Sequence, residues 1–184
     1  MIVRKAVSND AEGITFCLFL PMEEIVYKLI GEVDFAKALA FMRYFVENES
    51  NQYSWQNCWV VELEGAVVAA VNVYDGAQLH ALRKPVLDYV QTRFNRHTHP
   101  EDETQAGEFY IDSLGVQPEH RCKGIATSLL QFLVDEFVMK QNQTLGLLVD
   151  DDNAGAIRLY QRLGFKRVGK KALLGKELQH LQFS

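Results

Sequence analysis

The sequence predicts a single α/β domain (α+β in its antiparallel part), with a mixed central sheet of about seven strands flanked by helices on both faces. Three observations carry this. The C-terminal half alternates short apolar runs with helix-spaced stretches, as crossovers between parallel strands require. In the N-terminal half, residues 57–63 and 66–74 are apolar runs separated only by Glu64-Gly65, a hairpin signal. A length of 184 residues, 48% of them hydrophobic and 23% charged, suits one sizeable core in an ordinary globular chain.

Ile2-Val3-Arg4-Lys5-Ala6 reads as the first strand, and Ser8-Asn9-Asp10 supplies helix-start chemistry. A helix is predicted over 10–30, with a break near Pro21 or Gly31, and another over 34–48. After the hairpin strands, residues 78–95 keep helical spacing through Leu79, Leu82, Val86 and Val90 despite Pro85. The connection 75–106 is long for a link between strands, so it is a candidate lid. Strand 107–116 and helix 124–140 follow. In that helix Ile125, Leu129, Leu133 and Phe137 form one apolar row, and Ala126, Leu130, Val134 and Val138 form the next. Strand 144–149, helix 153–163 and strands 165–172 and 177–183 complete the chain. It contains no repeat, linker or low-complexity segment, so residues 1–184 are expected to form one unit.

Composition narrows the partners. A net charge of −5 without a Lys/Arg cluster argues against nucleic acid. No apolar run approaches a membrane span. A strand rather than a leader is expected at the N-terminus. Cys17, Cys58 and Cys122 are odd in number and lack disulfide or metal spacing, so reduced thiols in a cytoplasmic protein are expected. His97 and His99 supply too few ligands for a metal, and Glu101-Asp102-Glu103 reads as a solvated charge run. No metal is expected.

The most informative segment is Val116-Gln-Pro-Glu-His-Arg-Cys-Lys-Gly-Ile-Ala126. An apolar strand enters a loop that opens an amphipathic helix. Such a junction aims backbone N–H groups and the positive end of the helix at one point, which suits a pyrophosphate. Gly124 and Ala126 are small enough for close backbone approach. Cys122 reads as a neutral filler within the loop. In a second segment, Asn153, Ala156 and Tyr160 share one helix face. Asn153 is a helix cap, and Gly164 with Phe165 is a helix stop.

In this order the two segments resemble the motifs of the GNAT superfamily, the acetyl-coenzyme A-dependent N-acetyltransferases. The pattern Q/R-x-x-G-x-G/A matches Arg121, Gly124 and Ala126. The pattern N-x-x-A-x-x-x-Y-x-x-x-G-F matches Asn153, Ala156, Tyr160, Gly164 and Phe165. The match covers about residues 107–170, and the rest agrees in element order. Gly115, inside strand four (107–116), marks either a bulge or a close backbone approach, and the resemblance implies a bulge here that splays strands four and five (144–149). It implies acetyl-CoA as donor, its pantetheine arm against Leu114, Gly115 and Val116. Pyrophosphate contacts would come from the N–H groups of Arg121, Lys123, Gly124, Ile125 and Ala126. Cys122 and Thr127 lie in the same loop and first turn. Asn153 and Ala156 would border the cofactor arm.

The implied reaction is direct attack of a primary amine on the thioester. A lysine-like amine of pKa ~10.4 costs ~4 kcal/mol to deprotonate near pH 7.4, so the need for a general base depends on the acceptor. By alternation Glu108, Tyr110 and Asp112 share one face of strand four. Asp112 is the first candidate base and Glu108 the second. Tyr160 is the candidate general acid for the leaving thiolate, against a reading as a core tyrosine. Family members that acetylate a ribosomal protein have a glutamate on strand five where this chain has Leu148. The acceptor, a small-molecule or peptide amine, would meet residues 15–50 and 74–105. Candidates there are Tyr27, Phe41, Tyr44, Tyr53, Trp55 and Tyr74, as an aromatic pocket or, for most by helical spacing, as core, and Arg83, Lys84, Asp88, Tyr89, Arg93, Arg96, His97 and His99, as an acceptor lining or a solvated helix face. A homodimer is a family-level expectation. The alternative function is an acyl-CoA-binding sensor without turnover. A nucleotide-binding α/β domain ranks far behind, because no G-x-x-x-x-G-K-S/T loop is present.

Overall fold

The computed structural model describes residues 1–184. In chain order its elements are β1 (Ile2–Lys5), α1 (Ala11–Ile30), α2 (Phe35–Glu47), β2 (Cys58–Leu63), β3 (Ala66–Asp75), α3 (Leu79–Phe94), β4 (Phe109–Val116), α4 (Ile125–Leu133), β5 (Leu145–Val149), α5 (Ala154–Leu163), β6 (Lys166–Leu173) and β7 (Lys176–Phe183). The seven strands form one sheet in the order β1-β2-β3-β4-β5-β7-β6. Only β4 and β5 are parallel, as the crossover through α4 requires.

Alternation along the central strands sends apolar side chains to both faces, so the sheet carries two cores. Val60 and Ala70 join α1, α2 and α3 on one face, and Val61, Val71, Ile111 and Leu147 join α4 on the other. Both predicted apolar rows are buried except for half-buried Ala126; Leu129 and Leu133 are each 0% exposed, so truncation to alanine is expected to cost about 2–5 kcal/mol. Beyond Leu133 the predicted helix 124–140 continues, but Val134–Met139 widens into a π-helical turn.

Of the two predicted breaks, the one at Gly31 occurs and the one at Pro21 does not. α1 runs through Pro21 to Gly31, whose left-handed φ of 78° ends the helix. Pro21 lacks the N–H that would bond the Cys17 carbonyl four residues earlier. That carbonyl lies against β4, and a Cβ on Gly115 would sit 1.8 Å from it. Of the two readings of Gly115, the close backbone approach is the one that holds. The bulge lies three residues earlier: Asn72 faces Ser113 while Val73 faces Ile111, which leaves Asp112 as the extra residue. Strand four is also shorter than predicted. It starts at Phe109, so Glu108 precedes it.

Two tight hairpins have left-handed backbone at both turn residues. Glu64 and Gly65 adopt φ 51° and 81°, and Leu174 and Gly175 adopt 48° and 80°. The first is the predicted turn. The second is unusual because a leucine in the left-handed region costs about 1–2 kcal/mol.

Candidate active site

β4 and β5 pair only over residues 109–111 and 145–147. From Asp112 onward β4 pairs with β3 alone, so a gap opens beside β5 at the bulge. The Gln117 N–H donates to the Val68 carbonyl (2.9 Å), which fixes the alternation. Gly115, two residues back, turns its backbone groups to β3, and Leu114 and Val116 turn theirs toward the gap. The Val116 carbonyl also accepts from Arg121 Nε at 3.2 Å.

The loop after β4 begins with a 3₁₀ turn, Pro118–His120, and ends with two left-handed residues, Cys122 (φ 59°) and Gly124 (φ 79°). The Arg121 N–H closes the turn onto the Pro118 carbonyl (3.2 Å) and so is already engaged. The N–H groups of residues 122–127 have no acceptor in the protein. They converge at the N-terminus of α4, beside a cleft of about 440 Å³ lined by Val116, His120, Arg121, Gly124 and Thr127, among others. A Cβ on Gly124 would meet nothing within 4 Å, so the approach to this backbone is open. His120 Nδ1 is buried there without a partner. A run of free donors at the positive end of a helix matches the chemistry of a pyrophosphate.

On the opposite side of the gap lies a second cavity of about 360 Å³. Its polar end is Asp112, Glu103, Gln52 and Arg83. Gln52 Nε2 lies 2.9 Å from Asp112 Oδ2 and 2.6 Å from Glu103 Oε1, so both carboxylates reach one nitrogen. The Tyr74 hydroxyl donates to Glu103 at 3.3 Å. Gln52 is itself fixed: its carbonyl accepts from Asn72 Nδ2 (2.9 Å), and its N–H donates to the Leu82 carbonyl (2.9 Å). Arg83, 5% exposed, pairs with Glu103 and donates to the carbonyls of Pro100 and Glu101 at 3.1 Å. Burial raises the pKa of Asp112 to about 7, helped by the neighbouring Glu103 charge and opposed by the Gln52 hydrogen bond. Burial also raises Glu103, against the pull of Arg83.

Glu108 is built differently. It accepts from Thr104 Oγ1 (2.7 Å) and Gln182 Nε2 (2.7 Å), and lies 2.8 Å from His180 Nε2. Burial raises its pKa, but these hydrogen bonds together outweigh burial and hold it below the ordinary carboxylate value. Tyr160 on α5 packs edge-on against Phe165, and its hydroxyl bonds to no protein group. Burial raises its pKa to about 12, so it is protonated at neutral pH. Asn153 caps α5 by accepting the Ala156 N–H at 3.1 Å, and Gly164 ends that helix at φ 107°.

Asp112, Leu114 and Val116 thus lie along the β4–β5 gap, and residues 121–127 lie at its loop end. Glu108 sits at the closed end of the gap, among Thr104, His180 and Gln182. The run Glu101-Asp102-Glu103 is not simply solvated, because Glu103 is 3% exposed and ion-paired. Of the polar residues proposed along 83–99, only Arg83 borders the cavity. Lys84 pairs with Asp88 on the surface, and Tyr89 stacks on Tyr44. Of the aromatic candidates only Tyr53 lines the cavity, while Phe41 is core. Gln52 and His180 were not legible, since nothing in their local sequence marks them. Arg83 carried a usable signal: Leu79, Arg83, Val86 and Val90 share one helical face.

Residues 34–165 match the family model described as the acetyltransferase (GNAT) family. "Acetyltransferase SG1711" of Sodalis glossinidius is 34% identical over 65 residues, 35% of this chain and 46% of that protein. The [ribosomal protein bS18]-alanine N-acetyltransferase of Escherichia coli is 40% identical over 53 residues, 29% of this chain and 36% of that enzyme. The chain therefore spans less than half the length of these relatives. An N-acetyltransferase structure from Staphylococcus aureus superposes with a TM-score of 0.86 at 21% identity, covering 100% of both chains. No helix is long and apolar enough to cross a membrane. The motif loop, the split sheet and the match over 34–165 agree: this chain belongs to the acetyltransferase (GNAT) family.

Proposed function

We propose that this protein is an N-acetyltransferase that moves the acetyl group of acetyl-CoA to a primary amine by direct attack in a ternary complex. One observation carries the reading: Asp112, the bulge residue, stands where the β4–β5 gap opens and also lines the cavity beside it. A donor in the gap and an acceptor in the cavity would meet at that residue.

The N–H groups of residues 122–127, in a loop that also carries Arg121 and Lys123, hold the pyrophosphate. Leu114 and Val116, flanking Gly115, pair with the pantetheine arm. Asn153 and Ala156 border that arm at the start of α5. The acceptor arrives as R–NH₃⁺. Asp112 takes its first proton, and a carboxylate with pKa about 7 suits that task near neutral pH. Glu108, held low by three partners, is the weaker base. The nitrogen lone pair forms the C–N bond, and the C–S bond breaks. Tyr160 protonates the leaving thiolate, and the second amine proton passes to solvent. The balance is R–NH₃⁺ plus acetyl-CoA giving R–NH–acetyl, CoA–SH and H⁺.

The test is calorimetric binding of acetyl-CoA beside thiol release with a panel of primary amines. The expected result is binding in solution and release with one acceptor class. Binding without release from any amine would overturn the transferase reading, and absence of binding would overturn the donor site.

A further inference from the structure

The cavity beside Asp112 is apolar everywhere except at that end. Met22, Ile25 and Leu29 of α1, Val86 of α3, and Leu173 and Leu174 of the β6–β7 turn form its walls. It is a narrow chamber that opens to solvent, suited to a small body rather than a large one. Its charges can be counted. Arg83 is the only lysine or arginine on the lining, and its guanidinium is committed to Glu103 and to the Pro100 and Glu101 carbonyls. Asp112 then has Gln52 and the Tyr74 hydroxyl as hydrogen-bond partners and forms no ion pair. The site offers one carboxylate without an ion-pair partner at the end of a small apolar chamber.

The β6–β7 turn supplies a second, independent observation. Leu174 adopts φ 48°, where a hairpin turn favours glycine, asparagine or aspartate. It is held there by its N–H to Glu101 Oε2 (2.7 Å) and by Lys28 Nζ on its carbonyl (3.3 Å). A strained residue on a cavity wall points to use of its side chain.

Resting on the transferase reading above, we infer that the acceptor is a small primary amine with one cationic nitrogen on an apolar body, of aralkyl or branched-alkyl type. Its ammonium group faces Asp112, and its body fills the chamber between α1, α3 and Leu174. Polyamines and aminoglycosides bring second and third cations to a lining whose only other carboxylate, Glu103, is already paired with Arg83. A peptide N-terminus brings amide groups to walls that lack partners for them.

The experiment measures thiol release at saturating acetyl-CoA with 2-phenylethylamine, ethylamine, spermidine, an aminoglycoside and a tetrapeptide, in the parent and in Leu174→Asn. Asparagine tolerates the left-handed backbone, so this variant keeps the turn. The parent is expected to favour 2-phenylethylamine in kcat/KM by at least about tenfold over each of the others. Leu174→Asn should lower kcat/KM for 2-phenylethylamine about fivefold or more, chiefly through KM, and leave ethylamine unchanged. Highest turnover with spermidine, the aminoglycoside or the tetrapeptide would overturn the acceptor class and leave the transferase reading intact. An equal loss for all amines in Leu174→Asn would remove the wall assignment. Bound acetyl-CoA with no release from any amine would sink both readings together.

Discussion

The two sides of the gap are built from different materials. The proposed donor side is mainly one continuous stretch, residues 114–127, and its candidate working groups are backbone N–H and carbonyl groups. The proposed acceptor side joins Gln52, Arg83, Glu103 and Asp112, which are scattered over sixty residues of sequence and meet through side chains. A backbone site depends on local conformation, so small residues and left-handed positions specify it. A side-chain site depends on how distant elements pack, and its residue types are free to differ where the donor loop is not.

The largest expected contrast between the two sides comes from Asp112→Asn. Removing a general base typically costs about 10²–10⁴-fold in rate, and the loss should fall on kcat with an amine acceptor. Calorimetric affinity for acetyl-CoA should stay within about twofold, because the donor loop is untouched. An equal collapse of acetyl-CoA binding would show that the two sides are not separable.

Tyr160→Phe should come next. The hydroxyl makes no hydrogen bond in the protein, so its loss leaves packing against Phe165 intact and the melting temperature nearly unchanged. The expected effect is a fall of about 10²-fold in kcat with little change in KM, measured by steady-state thiol release. A core tyrosine without a catalytic role would give a variant with full turnover.

Gly124→Val probes the backbone side with a smaller effect. At φ 79° a β-branched residue is strained, by about 1–2 kcal/mol, although the space around it is open. Relieving that strain turns the free N–H groups away from their common focus. Affinity for acetyl-CoA should weaken about tenfold by calorimetry, which corresponds to ~1.4 kcal/mol. The preference among amines should not change.

The same contrast explains what could be read from sequence. Helix spacing located α4, the Glu64-Gly65 hairpin and the Gly164 stop, because each is set by residues within a few positions of one another. Glu103 was misread as part of a solvated run because its burial depends on Arg83, twenty residues earlier. Arg83 on the buried face of α3 was the available clue, since a buried guanidinium demands a buried acceptor. Gly115 marks a close approach, and the bulge at Asp112 has no glycine to announce it. Gly115 answers to the Cys17 carbonyl of α1, and a contact across ninety-eight residues has no local signature.

The smallest expected effect concerns stability, and it sets the two carboxylates beside β4 against each other. Asp112 has a pKa of about 7 in the folded chain against 3.8 as a free side chain, chiefly through burial. Between those values the folded chain holds a proton that the unfolded chain has released. Stability contributed by this group therefore falls as pH rises through that window and is level above about 7. Glu108 acts with the opposite sign: its folded pKa is depressed, so its contribution is present above 4.5 and is lost as acid protonates it. A shift of about three units corresponds to at most ~4 kcal/mol, and partial exposure of Asp112 reduces this to about 1–2 kcal/mol. Asp112→Asn should thus be more stable than the parent at pH 8 by about 1–2 kcal/mol and nearly equal to it at pH 4.5, read from urea midpoints. Glu108→Gln should be less stable than the parent at pH 8. A gain in stability alongside lost turnover marks Asp112 as a charge kept for chemistry, whereas Glu108 is one kept for the fold. If Asp112→Asn proved less stable at pH 8, its carboxylate would be a paired structural group, and the base assignment would pass to another residue.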